Sequence, residues 1–461
     1  LVGLEKTSLK RYKTPPGRPQ RFVCVSRHSP GPASSILGFI MTTTTGLPVR
    51  HGPGFAETVA LIAALMGLTA LAIDTMLPAL PAIGTSFGLA DANELQLVVY
   101  AYMIGFGIAQ VIYGPLSDVW GRRPLVIAGL IILIAGAIVS AVATSFDHLL
   151  IARVLQGIGA AAARVIAISI IRDRYEGREM ARVMSFTMMV FMIVPVLAPT
   201  FGTLLLALSG WRTIFATMAA LSVAVGLWFY IRMPETLHPE FRRALSVRSI
   251  LDAARICFTN RAAVGYSLAI GLLFAMLMGF IGSAEQILGS DGYRLGVLFP
   301  AAFASVAITG GIAAFINSRL VRTWGMHRLS HGSHLIHVAL TAAFFIAAHL
   351  WDGLPPLWMF IALMVAMQFF FFIAISNYNA LALDPLGEVA GTASSLIGAF
   401  TTIVGTVGGA LIGQSFDGTV APLSAGFVGL SAVTLLIVTW TERGRLFQPH
   451  HQGGALPAIA E

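Results

Sequence analysis

The sequence predicts an all-α integral membrane protein with twelve transmembrane helices in two pseudo-symmetric six-helix bundles. Three observations lead there. The chain of 461 residues is 56% hydrophobic and only 11% charged, with mean hydropathy +0.81, where a soluble domain carries about 25% charge. Its apolar residues fall into twelve runs, each near the ~20 residues a helix needs to cross the hydrocarbon core. Its arginines alternate between the connections, as cytoplasmic loops demand.

Residues 1–40 read as foreign to this pattern. They begin with Leu1 and hold all three lysines, Lys6, Lys10 and Lys13, with Arg11, Arg18, Arg21 and Arg27. Their apolar stretches are too short for a signal segment or a span. We expect a non-native or disordered leader, with Met41 as the true start and 41–56 as a cytoplasmic tail. The spans are expected at 57–80, 94–116, 125–145, 148–171, 180–206 and 211–231, then 262–284, 294–317, 330–350, 356–377, 390–413 and 420–440. The longest connection, 232–261, interleaves Arg242, Arg243, Arg248 and Arg255 with Leu245, Val247, Ile250, Leu251 and Ile256. It reads as a central cytoplasmic linker with a short amphipathic helix on the membrane face. It divides an N-terminal bundle at 57–231 from a C-terminal one at 262–440, and 441–461 is a cytoplasmic tail.

From Met41 onward there are 22 arginines, and 18 belong to the tails and the loops after even-numbered spans. Only Arg212 and Arg294 lie on the other side, while Arg153 and Arg164 are inside spans. Both termini are therefore expected in the cytoplasm, at the cell inner membrane. The net charge of +8 follows topology and gives no reason to expect nucleic acid. Cys24 and Cys257 are the two cysteines, and no structural disulfide is expected.

Ionisable residues inside spans are functional candidates, because lipid penalises them. Asp74 lies about 25 Å along span 1 at 1.5 Å per residue. It is either a proton or substrate carboxylate or a cap at the outer water boundary. Pro78 removes the hydrogen bond to its carbonyl and predicts a bend. Arg153 in span 4 shares its depth, and Gln156 stands one turn away. Arg164 lies eleven residues on, in line with Arg153. It either lines a cavity and favours anionic groups or pairs with Asp118. The segment Gly114-Pro115-Leu116-Ser117-Asp118-Val119-Trp120-Gly121-Arg122-Arg123-Pro124 is expected as a loop of about eight residues between spans 2 and 3. Asp118 either pairs with a basic neighbour or faces the N-terminal dipole of span 11. Arg122 and Arg123 are within reach of Asp173. A faded copy, Trp324-Gly325-Met326-His327-Arg328, follows span 8, the internal symmetry expected of repeated bundles. Span 5 carries Pro195, Pro199 and Gly202, which predict a bend and a close helix approach. Met188, Met189, Phe191 and Met192 beside them suit either an apolar cavity wall or a lipid face. His327, His331, His334 and His337 share one face of span 9, but with no second cluster or nearby carboxylate in view they read as a helix end, not a metal site. Glu285 and Gln286 mark a C-half polar contact.

The segment G-x-L-x-D-x-x-G-R-R in its slot between spans 2 and 3, and Arg153-x-x-Gln156-Gly157-x-Gly159, resemble signatures of the major facilitator superfamily. With Asp74-Thr-Met-Leu-Pro78-Ala-Leu-Pro81, Ile171-Arg172-Asp173, Gly210-Trp211-Arg212-Thr-Ile-Phe215 and Ala390-Gly391-Thr392-Ala393-Ser394-Ser395, the stretch from Met41 to Arg445 is similar to the twelve-span drug:proton antiporters of the Bcr/CflA type. Three positions depart. Val119 stands where a basic residue is frequent, span 5 has proline where glycine is common, and Met66, Thr69 and Ala70 occupy a region where some members carry a second acid. The resemblance implies the major facilitator fold and proton-driven export of small drug-like molecules, with Asp74, Arg153, Gln156 and Arg164 in coupling or cargo binding. It implies Gly114, Asp118, Gly121, Arg122, Arg123 and Asp173 in gating and Pro195, Pro199 and Gly202 in an export motif. No enzyme activity, cofactor or metal is expected; the partners are protons, a small molecule and the lipid bilayer, and the chain is expected to act as a monomer. The missing second acid favours neutral or anionic cargo. The alternative is proton-coupled uptake or export of one specific metabolite.

Overall fold

A computed structural model of the chain describes residues 52–238, 240, 242 and 247–448. The leader 1–40, its boundary at Met41, Cys24 and most of both tails lie outside the described residues. The described ones fold into helices and short turns: α1 Phe55–Asp74, α2 Leu80–Phe87, α3 Leu97–Trp120, α4 Arg122–Ala141, α5 Phe146–Arg174, α6 Gly177–Ser209 and α7 Trp211–Arg232, then α8 Val247–Thr259, α9 Arg261–Glu285, α10 Phe299–Trp324, α11 Met326–Leu350, α12 Leu357–Leu383, α13 Ala390–Gly413 and α14 Ala421–Thr441. Taking α1 and α2 as one span gives twelve segments long and apolar enough to cross a membrane. Helices are the structure such runs adopt in lipid, because each backbone group finds its partner within the segment.

In the first bundle α5 packs against both α3 and α4, and α1 lies against α5, α6 and α7. In the second, α9 packs against α12, α13 and α14. The bundles meet along α3 with α13 and α6 with α10. These are spans 2 with 11 and 5 with 8, so the two contacts are symmetry counterparts. Isoleucines and leucines such as Ile131, Ile138, Leu204, Leu208 and Leu436 are exposed, on faces that lipid tails would cover.

The expected eight-residue loop after span 2 is not a loop. Helix α3 runs through Pro115 to Trp120, and α4 starts at Arg122. Gly121 alone breaks the path, with φ of 98°, a conformation glycine adopts without steric cost. The helix persists because the charges on its last turn are paired, as described below. The echo after span 8 has the same build. Gly325, with φ of 75°, separates α10 from α11, and Trp120 and Trp324 are both exposed. Helix α5 also extends further than its apolar run, carrying Arg172 and Asp173 on its last turn. In the connection between the bundles, α8 turns Ala253 and Cys257 inward and leaves Leu251, Ile256 and Phe258 exposed beside Arg248, Asp252 and Arg255. Cys257 is a free thiol.

Candidate functional site

The first span breaks at Asp74. α1 ends at Asp74, a short turn at Leu77–Ala79 follows, and α2 resumes at Leu80. Pro78 and Pro81 sit at the starts of the new helical segments, positions where their missing N–H groups cost nothing. The break brings α6 close. A side chain at Gly202 would collide with the Thr75 carbonyl and stand 3.2 Å from Pro78 Cγ. Gly202 thus seats the Pro195–Pro199 segment of span 5 against the bend of span 1. Asp74 is buried at 5% exposure, and among the described residues no hydrogen bond or ion pair engages its carboxyl. The neighbouring Thr75 Oγ1 is buried without a hydrogen-bond partner.

Arg153 does not pair with Asp74. Its Nε donates to the Val98 carbonyl at 3.0 Å and its Nη1 to Gln156 Oε1. The guanidinium lies 4.5 Å from the Tyr102 ring centroid and 5.8 Å from that of Phe215. The side chain is fully buried, and Nη2 has no hydrogen-bond partner. A guanidinium goes where acceptors and ring faces are, and here α3 supplies both, in the Val98 carbonyl and the Tyr102 ring. Tyr102 links Arg153 to α1, since its hydroxyl donates to the Thr69 carbonyl at 3.1 Å. The glycines of the motif let the helices close. A Cβ at Gly157 would meet the α3 backbone at Tyr102 and Phe106, and one at Gly159 the α4 backbone at Leu133 and Gly129. Arg153 is therefore clamped by three helices in backbone contact.

Arg164 is placed differently. It does not pair with Asp118. It lines a cavity of about 770 Å³ between the bundles, open toward the face that carries both ends of the described chain. Gln110, Ile397 and Gly398 share the inner end of that cavity; Asp118, Arg122, Asp173 and Glu176 line its mouth. Asn379 and Ser395 belong to the far wall. Of the apolar run beside the span 5 prolines, Phe191 places its ring 5.6 Å from the Arg164 guanidinium, Met192 lies 3.8 Å from the position a Cβ of Gly311 would take, and Met189 is 60% exposed on the outer surface.

At the mouth, Arg122 gathers the charges. Its Nη1 donates to Asp118 Oδ1 at 2.6 Å and to Ser117 Oγ at 2.5 Å, and its Nε to Asp173 Oδ2 at 2.9 Å. Asp118 is thus bonded to a basic neighbour; no bond to the start of span 11 occurs among the described residues. Arg123 does not reach Asp173. It donates to the Tyr230 carbonyl at 2.7 Å. Composition and spacing did not single out Glu235, which accepts from the backbone N–H groups of Arg122 and Arg123 at 2.9 and 3.1 Å. It fills the anion position at the start of α4. A Cβ at Gly121 would approach Glu235 Oε2 to 2.5 Å, and one at Gly114, within α3, would approach Ser395 Oγ to 2.5 Å, so neither position has room for a side chain. The signal available was faint: an acid after a proline, in a connection where Glu240 also follows one.

The opposite face is closed by amides. Gln96 Nε2 donates to Gln286 Oε1 at 2.6 Å and to the Gly413 carbonyl at 2.8 Å, Gln286 to Asn93 Oδ1 at 2.9 Å, and Asn93 to the Phe416 carbonyl at 2.9 Å. All join one bundle to the other. Gln286 is the expected C-half contact, while Gln96 and Asn93 were missed because neutral amides at a span end carry no topological signal. Glu285, next to Gln286, is buried and accepts from Ser290 Oγ at 3.2 Å. The histidines lie on the first turns of α11, at the helix end. His331, His334 and His337 are buried, and His337 Nδ1 lies 3.0 Å from Ser431 Oγ. A carboxylate is near after all: Glu442, just past α14, accepts from Tyr266 and lies 3.8 Å from His327 Nε2. Among the described residues, no group of three or more His, Cys, Asp or Glu is placed to hold a metal ion.

A family model described as "Major Facilitator Superfamily" matches residues 62–410. The "Uncharacterized MFS-type transporter YdgK" of Bacillus subtilis (strain 168) is 28% identical over 385 residues, covering 81% of this chain and 93% of that protein. The "Bicyclomycin resistance protein homolog" of Haemophilus influenzae is 26% identical over 364 residues, 76% of this chain and 87% of that protein. Among solved structures, a partially occluded inward open conformation of the xylose transporter XylE from E. coli superposes with a TM-score of 0.64 at 15% identity, covering 84% of this chain and 97% of that one.

Proposed function

The chain belongs to the major facilitator superfamily and is a multi-pass membrane transporter rather than an enzyme, and from that premise we propose that it exports small drug-like molecules from the cytoplasm in exchange for protons, by alternating access. The observation that carries this reading is Asp74: a buried carboxyl at the break of span 1, pressed against the span 5 segment of Pro199 and Gly202. The names of relatives, one of them a bicyclomycin resistance protein homolog, support the cargo class. The arginine distribution supports cytoplasmic termini in the inner membrane, so the cavity with Arg164 faces the cytoplasm and the amide clamp faces outside. The chain works as a monomer on this reading, since one copy contains the whole pathway.

The mechanism follows from the two unfilled partners. A bare carboxylate is costly at a buried site without a cation. In the cytoplasm-facing state described here Asp74 has no cation, and Arg153 Nη2 has no acceptor. Movement of the bend past Gly202 brings Asp74 to Arg153 in the outward state. A proton from outside breaks that pair and lets Asp74 return to its buried position, closing the outer path. Cargo leaves outward in the half-cycle in which the proton has been released inward. Gln156 keeps Arg153 oriented throughout.

Everted membrane vesicles energised by respiration test this. Adding a transported compound to vesicles with the protein should alkalinise the lumen, read with a pH dye, and Asp74→Asn should abolish that response at normal membrane insertion. Full compound-triggered alkalinisation by Asp74→Asn would remove Asp74 from coupling.

A further inference from the structure

We propose that the inner end of the cytoplasm-facing cavity is an anion site, and that the cargo is an organic anion, such as a carboxylate on an apolar body, with Arg164 as its counter-charge. The proposal rests on the cavity being the cargo path, and it adds the class of cargo.

Two arginines stand on one face of α5, and the structure uses them in opposite ways. Arg153 spends its donors on Val98 and Gln156 and is fully buried. Arg164 has no such commitment. Among the described residues no group accepts a hydrogen bond from it and no carboxylate forms an ion pair with it; its contact is the Phe191 ring at 5.6 Å. A guanidinium at this depth of a membrane protein, with neither acid nor carbonyl, is held by water or by a ligand.

Depth separates the charges of the cavity. Asp173 is nine residues along α5 from Arg164, about 13 Å at 1.5 Å per residue, and Asp118 is eight residues along α3 from Gln110, about 12 Å. Of the three acids at the mouth, Asp118 and Asp173 already hold Arg122, at 2.6 and 2.9 Å, and Glu176 lies past the end of α5. Asp74 does not line the cavity. The inner end therefore presents one positive charge among Gln110, Val165, Ile397 and Gly398. Gln110 points its Nε2 away, donating to Thr402 Oγ1 at 3.1 Å. A ligand seated there meets a planar fork that matches a carboxylate, sulfonate or phosphonate, and beside it Val165, Ile168 and Ile397 for an apolar body. A cationic ligand meets an unscreened like charge.

The test measures binding to the purified full-length chain at one pH, without a gradient. The probes are radiolabelled 1-naphthoate, 1-naphthamide and 1-naphthylmethylamine, with the corresponding sulfonate and phosphonate, read by equilibrium dialysis. The wild type should bind at least one of the anions tenfold or more tighter than the amide and bind the amine weakest. Arg164→Gln should erase the preference while leaving amide binding within threefold. Arg164→Lys should keep part of it, and Arg164→Glu should shift it toward the amine. Size-exclusion profile and thermal midpoint show that each variant is folded. Equal binding of anion and amide by the wild type, binding of none of the anions, or an anion preference retained in Arg164→Gln would each overturn the proposal. An anion preference with no compound-driven alkalinisation of vesicles would instead count against proton coupling alone.

Discussion

Neighbouring residues of the same type have unequal roles here, and the reason is angular. Arg122 and Arg123 open α4 about 100° apart, so one points between α3 and α5 and the other outward. Arg122 serves two carboxylates and a hydroxyl; Arg123 caps a carbonyl at the surface and stacks on Tyr230 at 4.8 Å. Arg122→Gln should therefore lower transport at least tenfold at normal insertion, because two carboxylates at the mouth lose their cation, while Arg123→Gln should change stability by less than about 1 kcal/mol. Matched transport and thermal-unfolding measurements on the two variants check this; equal effects would contradict it. Arg153→Lys should cost more than either in stability, about 2 to 3 kcal/mol, because an ammonium cannot serve Val98, Gln156 and two ring faces together. A lower thermal midpoint in detergent is the readout, and an unchanged midpoint would refute the clamp.

Elements were legible where lipid dictates them and less so where side chains decide. Apolar runs of about 20 residues marked every span, and Pro78 marked the break of the first. The turn after span 2 was misread because Asp118, Arg122 and Arg123 look like solvated residues until their partners on α5 and the next connection are known. Depth along two helices predicted that Asp74 and Arg153 are level, and they are not bonded. A guanidinium on a long stem chooses among acceptors on several helices, and periodicity carries no information about that choice. The span 5 signature was read as a packing device, and its partner is the bend itself. Gly202→Val should push α6 off Thr75 and Pro78. We expect compound transport to fall tenfold or more while helix content by circular dichroism is unchanged. Gly429→Val, at a position where a side chain meets nothing within 4 Å, is the matched control and should leave transport within twofold.

At the scale of the whole molecule, the two bundles are held at one end and apart at the other, and the difference is a count of hydrogen bonds. One end carries the Gln96, Gln286, Asn93 and Gly413 set, the outer one on the proposed orientation; the other carries a cavity. For alternating access the clamp has to be strong enough to favour this state and weak enough to open. The three of these bonds that Gln96 and Gln286 make, at about 1 kcal/mol net each, give roughly 3 kcal/mol, which shifts a two-state ratio by about a hundredfold. Gln96→Ala with Gln286→Ala should remove most of that and populate the outward state. Ser395→Cys lines the cavity and Ala410→Cys faces the first bundle near the clamp. In a Cys24→Ser background, an impermeant maleimide should label Ser395→Cys from the cytoplasmic side several-fold more slowly in the clamp variant, and Ala410→Cys from the outside several-fold faster. Cys257 adds little background, because burial both hides its thiol and pushes it above the ordinary thiol range, leaving less reactive thiolate. Opposite movement of the two rates identifies the amides as the outer gate. If both rates stay as they were, the closed outer end is held by apolar packing of α3 on α13 instead, and alternation must be driven through that interface.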